Sequence, residues 1–126
     1  MLADFNLMAF LATTDAARSR AFYEGVLGLR FVSEDDFAVV YDIRGIEFRL
    51  QKVRELTPQP HTALGWMVDG IDGVVRDIAA RGGRFERFPP MPQDAAGIWQ
   101  SPSGARVAWF RDPDGNLLSL TEKPRA

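Results

Sequence analysis

The chain has 126 residues, 46% of them hydrophobic, which is enough for one compact domain with a core and too few for two independent ones. Fifteen basic and seventeen acidic residues give a net charge of -2 without any basic run, so neither nucleic acid nor a membrane surface is expected as a partner. Cys is absent, which excludes thiolate chemistry. Acidic residues interrupt the N-terminal apolar segment, so we expect a cytoplasmic protein without a membrane span.

The first part of the chain predicts a strand, a helix and three further strands. Residues 7–13, LMAFLAT, form a short apolar strand that ends at Thr14 and Asp15, either of which can cap the helix that follows. That helix is predicted to run to about Leu27 and to end at Gly28, because glycine commonly follows the last helical turn. The three later strands are predicted in RFVSE, FAVVYD and GIEFRLQKV.

The second part predicts the same order of elements after a proline-containing linker, RELTPQPH at 54–61. LGWMV at 64–68 is the predicted strand, and Asp69 or Asp72 is the predicted cap of the next helix. Three strands are then predicted in RFERF, ARVAWFRD and NLLSLTE. Between the first two of them lies a proline-rich stretch in which Ile98 and Trp99 form an apolar pair that we expect to be exposed and to cover the cavity of a neighbouring subunit.

An internal repeat relates the two parts. DAARSRAFYEGVLGLRF at 15–31 aligns with DGIDGVVRDIAARGGRF at 69–85, and DIRGIEFRL at 42–50 aligns with DPDGNLLSL at 112–120. Two copies indicate duplication of one supersecondary unit, since a solenoid needs about three. The predicted fold class is α+β: one domain, 1–126, made of two βαβββ units at 5–53 and 62–122, each a curved mixed sheet with its helix on the outer face.

Alternation along the strands separates a helix-facing side from an open side. In the first unit, Ile46, Phe48 and Leu50 are predicted to face the helix, while the open side is predicted to carry Met8, Phe10, Ala12, Glu47, Arg49 and Gln51. In the second unit, Leu118 and Leu120 are predicted to face the helix. The open side there is predicted to carry His61, Ala63, Gly65, Met67, Leu117, Ser119 and Thr121. An open concave face can hold a ligand.

Two motifs give the sequence a family resemblance over about residues 5–122. The first is a D-x-x-x-S-x-x-F-Y-x-x-x-L-G stretch that begins at Asp15, and the second is the F-x-D-P-D-G-N stretch that begins at Phe110. Together with the paired βαβββ units they resemble the glyoxalase, bleomycin-resistance and extradiol-dioxygenase (vicinal oxygen chelate) superfamily. In metal-using members the resemblance implies four ligands on one divalent cation. The corresponding positions here are Met8, Arg49, Ala63 and Ser119.

None of these four side chains suits a divalent cation, because they offer a thioether, a fixed positive charge, a methyl group and a hydroxyl. We therefore expect no metal and no other cofactor. A register shifted by two residues brings in Glu47 and His61, but it also places Asn6 and Leu117 at the other two positions, so only two good ligands result.

Two classes of function remain open. The first is a metal-free binding protein for a small organic molecule of aromatic or antibiotic-like character, with Met8, Phe10, Glu47, Arg49, Gln51, Trp99, Trp109 and Ser119 as ligand-binding residues. The second is a lyase, isomerase or dioxygenase, either with atypical metal ligands or metal-free with Glu47 or His61 as base and Arg49 as its electrostatic partner.

Each candidate also has a structural alternative. Glu47 and Arg49 can form a solvated surface pair, His61 can be an exposed histidine without a role, and Trp99 and Trp109 can pack at a subunit interface. A homodimer is expected as well, because four-stranded units leave strand edges exposed and the resemblance implies pairing of units within or between chains.

Overall fold

The computed structural model describes residues 1–125, which form two compact units, Met1–Thr57 (unit 1) and the described residues from Pro58 onward (unit 2). Each unit has a strand, a helical segment and three strands in that order, which confirms the predicted α+β class and its two βαβββ units. Within the described residues, no helix has both the length and the apolar character needed to cross a bilayer.

Unit 1 contains a four-stranded mixed sheet. Its strands are β1 (Met8–Thr13), β2 (Arg30–Glu34), β3 (Ala38–Ile43) and β4 (Ile46–Lys52), in the spatial order β1-β4-β3-β2. β1 and β4 run parallel, and the other two neighbouring pairs are antiparallel. A short 3-10 turn, Leu2–Asp4, precedes β1.

The helical segment of unit 1 begins as α1 (Ala16–Arg20) and continues as a π-helical segment, Ala21–Val26. Asp15 is its cap, because the Asp15 carboxylate accepts a hydrogen bond of 3.1 Å from the Arg18 amide. Gly28 follows the segment with φ of 68°, the left-handed conformation that glycine adopts without strain. The predicted extent of the segment is therefore confirmed, although its second half is not α-helical.

The helical segment is joined to the sheet of unit 1 by aromatic packing and one partly buried hydrogen bond. The fully buried Tyr23 ring lies 5.5 Å from that of Phe48, which in turn stacks 5.9 Å from Tyr41. The Tyr41 hydroxyl donates to Glu24 at 3.0 Å, and burial raises the pKa of Tyr41. A hydrogen bond from Arg20 lowers the pKa of Glu24, so this carboxylate stays an acceptor.

Unit 2 contains a second mixed sheet of four strands. The elements are β5 (Leu64–Met67), α2 (Ile71–Ala80), β6 (Trp99–Gln100), β7 (Arg106–Arg111) and β8 (Leu117–Glu122). The strand order is β5-β8-β7-β6, with β5 parallel to β8 and the others antiparallel. Helix α2 packs on β7 and β8.

Two predictions for unit 2 are wrong. RFERF does not form a strand: Phe85 makes only an isolated bridge with Phe110, and β6 comes instead from the inserted stretch. Pro89 and Pro90 directly after this segment lack the amide hydrogens that a longer ladder would need. The cap of α2 is neither Asp69 nor Asp72.

The N-terminus of α2 is capped from a distant strand. Gly70 is the capping position, with φ of 65°, and the Ile71 amide donates at 2.8 Å to the carboxylate of Glu122 on β8. Asp72 is instead paired with Arg106 at 2.6 Å. The start of the helix is therefore fixed by tertiary contacts that local sequence does not show.

The turn between β7 and β8 is built on one buried carboxylate. Asp112 Oδ1 accepts hydrogen bonds from the amides of Asp114 and Asn116 at 3.0 and 2.9 Å, and Asp112 Oδ2 accepts one of 2.8 Å from the Asn116 side chain. Asp112 and Asn116 are both buried, and Gly115 has φ of 89°. This turn sets the register in which Trp109 lies opposite Ser119.

The predicted helix-facing sides of β4 and β8 are confirmed for Phe48, Leu50, Leu118 and Leu120, which are all buried. Ile46 shares the side of Phe48 but is exposed, because it is the first residue after the tight turn at Gly45. On the other side of β8, Leu117 and Ser119 are buried as well. We use open face for the side of each sheet opposite to these core residues.

We expect Phe48→Ala to lower the free energy of unfolding by about 3 to 5 kcal/mol, because it removes a fully buried ring. Phe10→Ala deletes the same side chain from the open face and should cost much less, as should Arg49→Ala. Urea denaturation of the three variants measures this. A larger loss for Arg49→Ala than for Phe48→Ala would show that the faces of β4 are reversed.

We expect Asp112→Ala to lower the free energy of unfolding by about 2 to 4 kcal/mol, because buried amides lose their hydrogen-bond acceptor. Asp42→Ala is the matched control: Asp42 occupies the same place in the turn of unit 1, where its carboxylate accepts one exposed bond of 3.2 Å from Gly45. Asp42→Ala should lower the free energy of unfolding by less than about 1 kcal/mol. Equal losses of unfolding free energy for the two variants in urea denaturation would contradict the conclusion that Asp112 stabilises the β7–β8 turn.

Candidate functional site

The open face of unit 1 brings together the five site residues that were predicted from its sequence. In the parallel pairing of β1 with β4, Met8 lies opposite Glu47, Phe10 opposite Arg49, and Ala12 opposite Gln51. Met8 and Phe10 are about half exposed. Apolar side chains from β1 therefore alternate with polar ones from β4 over one surface.

Two oppositely charged side chains, Glu47 and Arg49, lie close together on the open face of unit 1. Arg49 Nη1 donates to Glu47 Oε2 at 3.3 Å, and both side chains are partly exposed. The pKa of nearby Asp35 is lowered, first by hydrogen bonds from the Phe37 and Ala38 amides and more weakly by the charge of Arg49. One carboxylate thus contacts Arg49 directly, which leaves further guanidinium N–H groups able to reach a ligand.

The open face of unit 2 is aromatic along β6 and β7. The Trp109 ring lies 6.1 Å from Trp99 in a tilted arrangement and 5.5 Å from Phe88 in an edge-to-face one. All three rings are partly exposed. We call this set, Phe88, Trp99 and Trp109, the aromatic wall.

Beside the aromatic wall the surface carries small side chains, and the exposed Met67 lies opposite one of them, Thr121. Ser119 on β8 lies between Trp109 on β7 and Gly65 on β5, so these three residues form one row across the sheet. Thr121 lies in the next row, opposite Val107. We call Gly65, Ser119 and Thr121 the floor. A flat molecule placed on the floor would have its edge against the aromatic wall.

An ion pair closes one end of the unit 2 surface. Arg111 Nε is 2.9 Å from Glu86 Oε1, and Arg111 Nη1 donates to the Gly115 carbonyl at 2.8 Å. These contacts neutralise the guanidinium and hold it against the β7–β8 turn. The Arg111 charge is therefore largely compensated within the protein.

Several site predictions for the second half need correction. Ile98 is buried and not exposed, and Trp99 belongs to β6, so this pair does not form an exposed cover. His61 is not on a strand face, because β5 begins only at Leu64 and His61 is exposed before it. Trp109 and Ser119 do lie on one face, as predicted.

Two residues of this surface were missed from the sequence as site residues. Gly65 has no side chain to suggest a role, and Phe88 lies in a segment that was predicted to be a strand. The sequence did contain one indication for Phe88. It lies two residues after Glu86, so in an extended segment both side chains lie on the side opposite to Phe85. Glu86 does accept from Arg111 on the open face, while Phe85 packs 5.5 Å from buried Phe110.

The four positions that the family resemblance suggests for a metal do not make a ligand set. Met8 is diagonal to Arg49, since its direct partner is Glu47, and Ser119 has Gly65 as its partner rather than Ala63. Among residues 1–125, no group of three or more His, Asp or Glu side chains is placed to hold an ion. A thioether, a guanidinium, a methyl group and a hydroxyl do not fit a divalent cation.

Comparison with known protein families identifies one superfamily. The model of the Glyoxalase/Bleomycin resistance protein/Dioxygenase superfamily matches residues 6–120. No curated protein sequence matches the chain.

Three solved structures illustrate the shared fold. A member of this superfamily from Sphaerobacter thermophilus is 22% identical, with 98% of this chain and 100% of that one covered and a TM-score of 0.75. The fosfomycin resistance protein FosX from Listeria monocytogenes is 15% identical, with coverage of 96% and 94% and a TM-score of 0.74. Lactoylglutathione lyase from Agrobacterium tumefaciens is 17% identical, with coverage of 94% and 93% and a TM-score of 0.72.

We expect the purified protein to contain much less than one equivalent of Zn, Ni, Mn or Fe per chain, because the donor set is unsuitable. Elemental analysis after purification without chelators measures this. About one equivalent of any of these metals, retained through dialysis, would contradict the metal-free interpretation.

Proposed function

Because the chain belongs to the Glyoxalase/Bleomycin resistance protein/Dioxygenase superfamily, we propose that it is a metal-free binding protein for a small organic molecule. The observation that carries this proposal is the open face of unit 2, where a partly exposed aromatic wall stands beside a floor of small residues. Large aromatic side chains at a surface bind flat apolar groups with little loss of conformational entropy.

The open face of unit 1 supports the same function with different chemistry. Met8 and Phe10 offer apolar contacts, and Arg49, Glu47 and Gln51 offer donors and acceptors for polar substituents. The ligand-binding set therefore consists of Met8, Phe10, Glu47, Arg49 and Gln51 in unit 1, and of Trp99, Trp109 and Ser119 in unit 2. The proposed function needs no cofactor.

One observation favours an enzyme as the second candidate. Glu47 and Arg49 form a carboxylate–guanidinium pair on an open face, where the carboxylate can accept a proton from a ligand and the guanidinium can stabilise the resulting anion. His61 is less suited to the role of base because it lies outside β5. A lyase, isomerase or dioxygenase activity that Glu47→Gln abolishes while ligand binding persists would establish this alternative.

We also propose a homodimer in a cytoplasmic setting. β1 and β5 are each at the edge of their own sheet. Six large apolar side chains within the first ten residues are exposed: Met1, Leu2, Phe5, Leu7, Met8 and Phe10. A concentration of exposed large apolar side chains of this kind is typical of a protein interface. The single-domain arrangement and the absence of nucleic acid and membrane partners stay predictions from the sequence.

A thermal-shift screen with neutral, anionic and cationic aromatic compounds tests the binding function. We expect at least one compound to raise the melting temperature in a concentration-dependent way, and Trp109→Leu to weaken its binding about 3- to 10-fold. Arg81→Ala, which removes an exposed arginine at the end of α2, is the control and should leave binding unchanged. Binding that is insensitive to Trp109, or no binding at all, would contradict the proposal.

Sedimentation equilibrium at micromolar concentration tests the dimer. Two chains of 14.1 kDa should give a species of about 28 kDa. Phe5→Ser should shift the equilibrium toward monomer, whereas Phe37→Ser, which changes an equally exposed phenylalanine of the β2–β3 turn, should not. A wild-type species near 14.1 kDa would exclude the dimer.

A further inference from the structure

The Ser119 hydroxyl is a polar group without a partner on the floor of unit 2. Ser119 is 93% buried, since only 7% of its surface is exposed, and its hydroxyl forms no hydrogen bond within the described part of the chain. Across residues 1–125, every fully enclosed side-chain polar atom does have a hydrogen-bond partner. The hydroxyl therefore keeps a narrow access to the open face, from which a ligand group can reach it.

Gly65 provides the space for this hydroxyl. A Cβ atom on Gly65 would lie only 2.8 Å from Ser119 Oγ, closer than real Cβ contacts allow. The backbone of Gly65 is not in the left-handed region, so a turn does not require glycine at this position. The missing side chain instead leaves the space above β5 that the Ser119 hydroxyl needs.

The surroundings of Ser119 define the group that fits there. Trp109 is its neighbour on the other side, and Arg111 next to the floor is already bound to Glu86 and to the Gly115 carbonyl. An aromatic ring on the floor therefore lies beside Trp109 and one hydroxyl, with little uncompensated charge from Arg111. A neutral ring with its own hydroxyl matches all three features, because that hydroxyl can donate to or accept from Ser119.

We infer that Ser119, in the space left by Gly65, selects neutral phenol-type rings over rings of the same shape that lack the hydroxyl. This inference rests on the proposed binding function and names the ligand class of its unit 2 surface. The position that a metal ligand would occupy in metal-using members is thus a hydrogen-bonding position for the ligand itself. Discrimination arises because a ring without a hydroxyl leaves the buried Ser119 group unpaired.

The test compares para-fluorophenol with para-fluorotoluene, which has a methyl group of similar size in place of the hydroxyl. Fluorine NMR titrations with the full chain give both affinities. We expect para-fluorophenol to bind about 3- to 10-fold more tightly, the range for one net hydrogen bond. Ser119→Ala should remove this preference by weakening only the phenol, and Gly65→Ala should reduce it. Ser103→Ala, an exposed loop serine, should leave it intact.

The outcomes distinguish the phenol preference of Ser119 from the general binding function. Equal affinities in the wild type, or a preference that survives Ser119→Ala, would overturn the selectivity of Ser119. If Trp109→Leu still weakened both probes in that case, the binding function would stand without the phenol preference. Failure of both probes to bind at millimolar concentration would overturn the phenol inference, while the wider thermal-shift screen would decide the binding function independently.

Discussion

The buried carboxylate of Asp112 is the constraint on which the unit 2 surface depends. Its hydrogen bonds to Asp114 and Asn116 fix a turn in which β7 and β8 can pair in one register only. A slip of one residue would turn Leu118 and Leu120 to the open face and Ser119 to the core. The row of Gly65, Ser119 and Trp109 therefore follows from a turn several residues away, and the chemistry of the floor depends on it.

The two units use one βαβββ plan to present different chemistry. In unit 1 the open face has charged and amide side chains on β4 beside apolar ones on β1, and its turn carboxylate, Asp42, makes an exposed bond. In unit 2 the corresponding face has an aromatic wall and a floor of small residues. Among residues 1–125, neither face gathers three or more carboxylate or imidazole groups, the kind of ligand set that a divalent cation needs. The shared fold therefore does not by itself supply a metal-ligand set in this chain.

Features governed by local periodicity were predictable from the sequence. Alternation along β4 and β8 identified both faces, and Gly28 marked the end of the helical segment of unit 1. Features that depend on distant partners were not: Glu122 caps α2 from another strand, and the inserted stretch supplies β6 in place of RFERF. The burial of Ile98 depends on the same tertiary packing. Gly65 was overlooked because its contribution is the absence of a side chain.

The placement of the ligand on the open face of unit 2 is tested most directly by the indole N–H signals of the three tryptophans in NMR spectra. Trp99 and Trp109 belong to the aromatic wall, whereas Trp66 lies opposite Leu120 on the helix-facing side and serves as an internal reference. On titration with a compound that raises the melting temperature, the Trp99 and Trp109 signals should move along one saturation curve while Trp66 stays in place. Movement of Trp66 alone, or no movement of any indole signal at saturation, would contradict this placement.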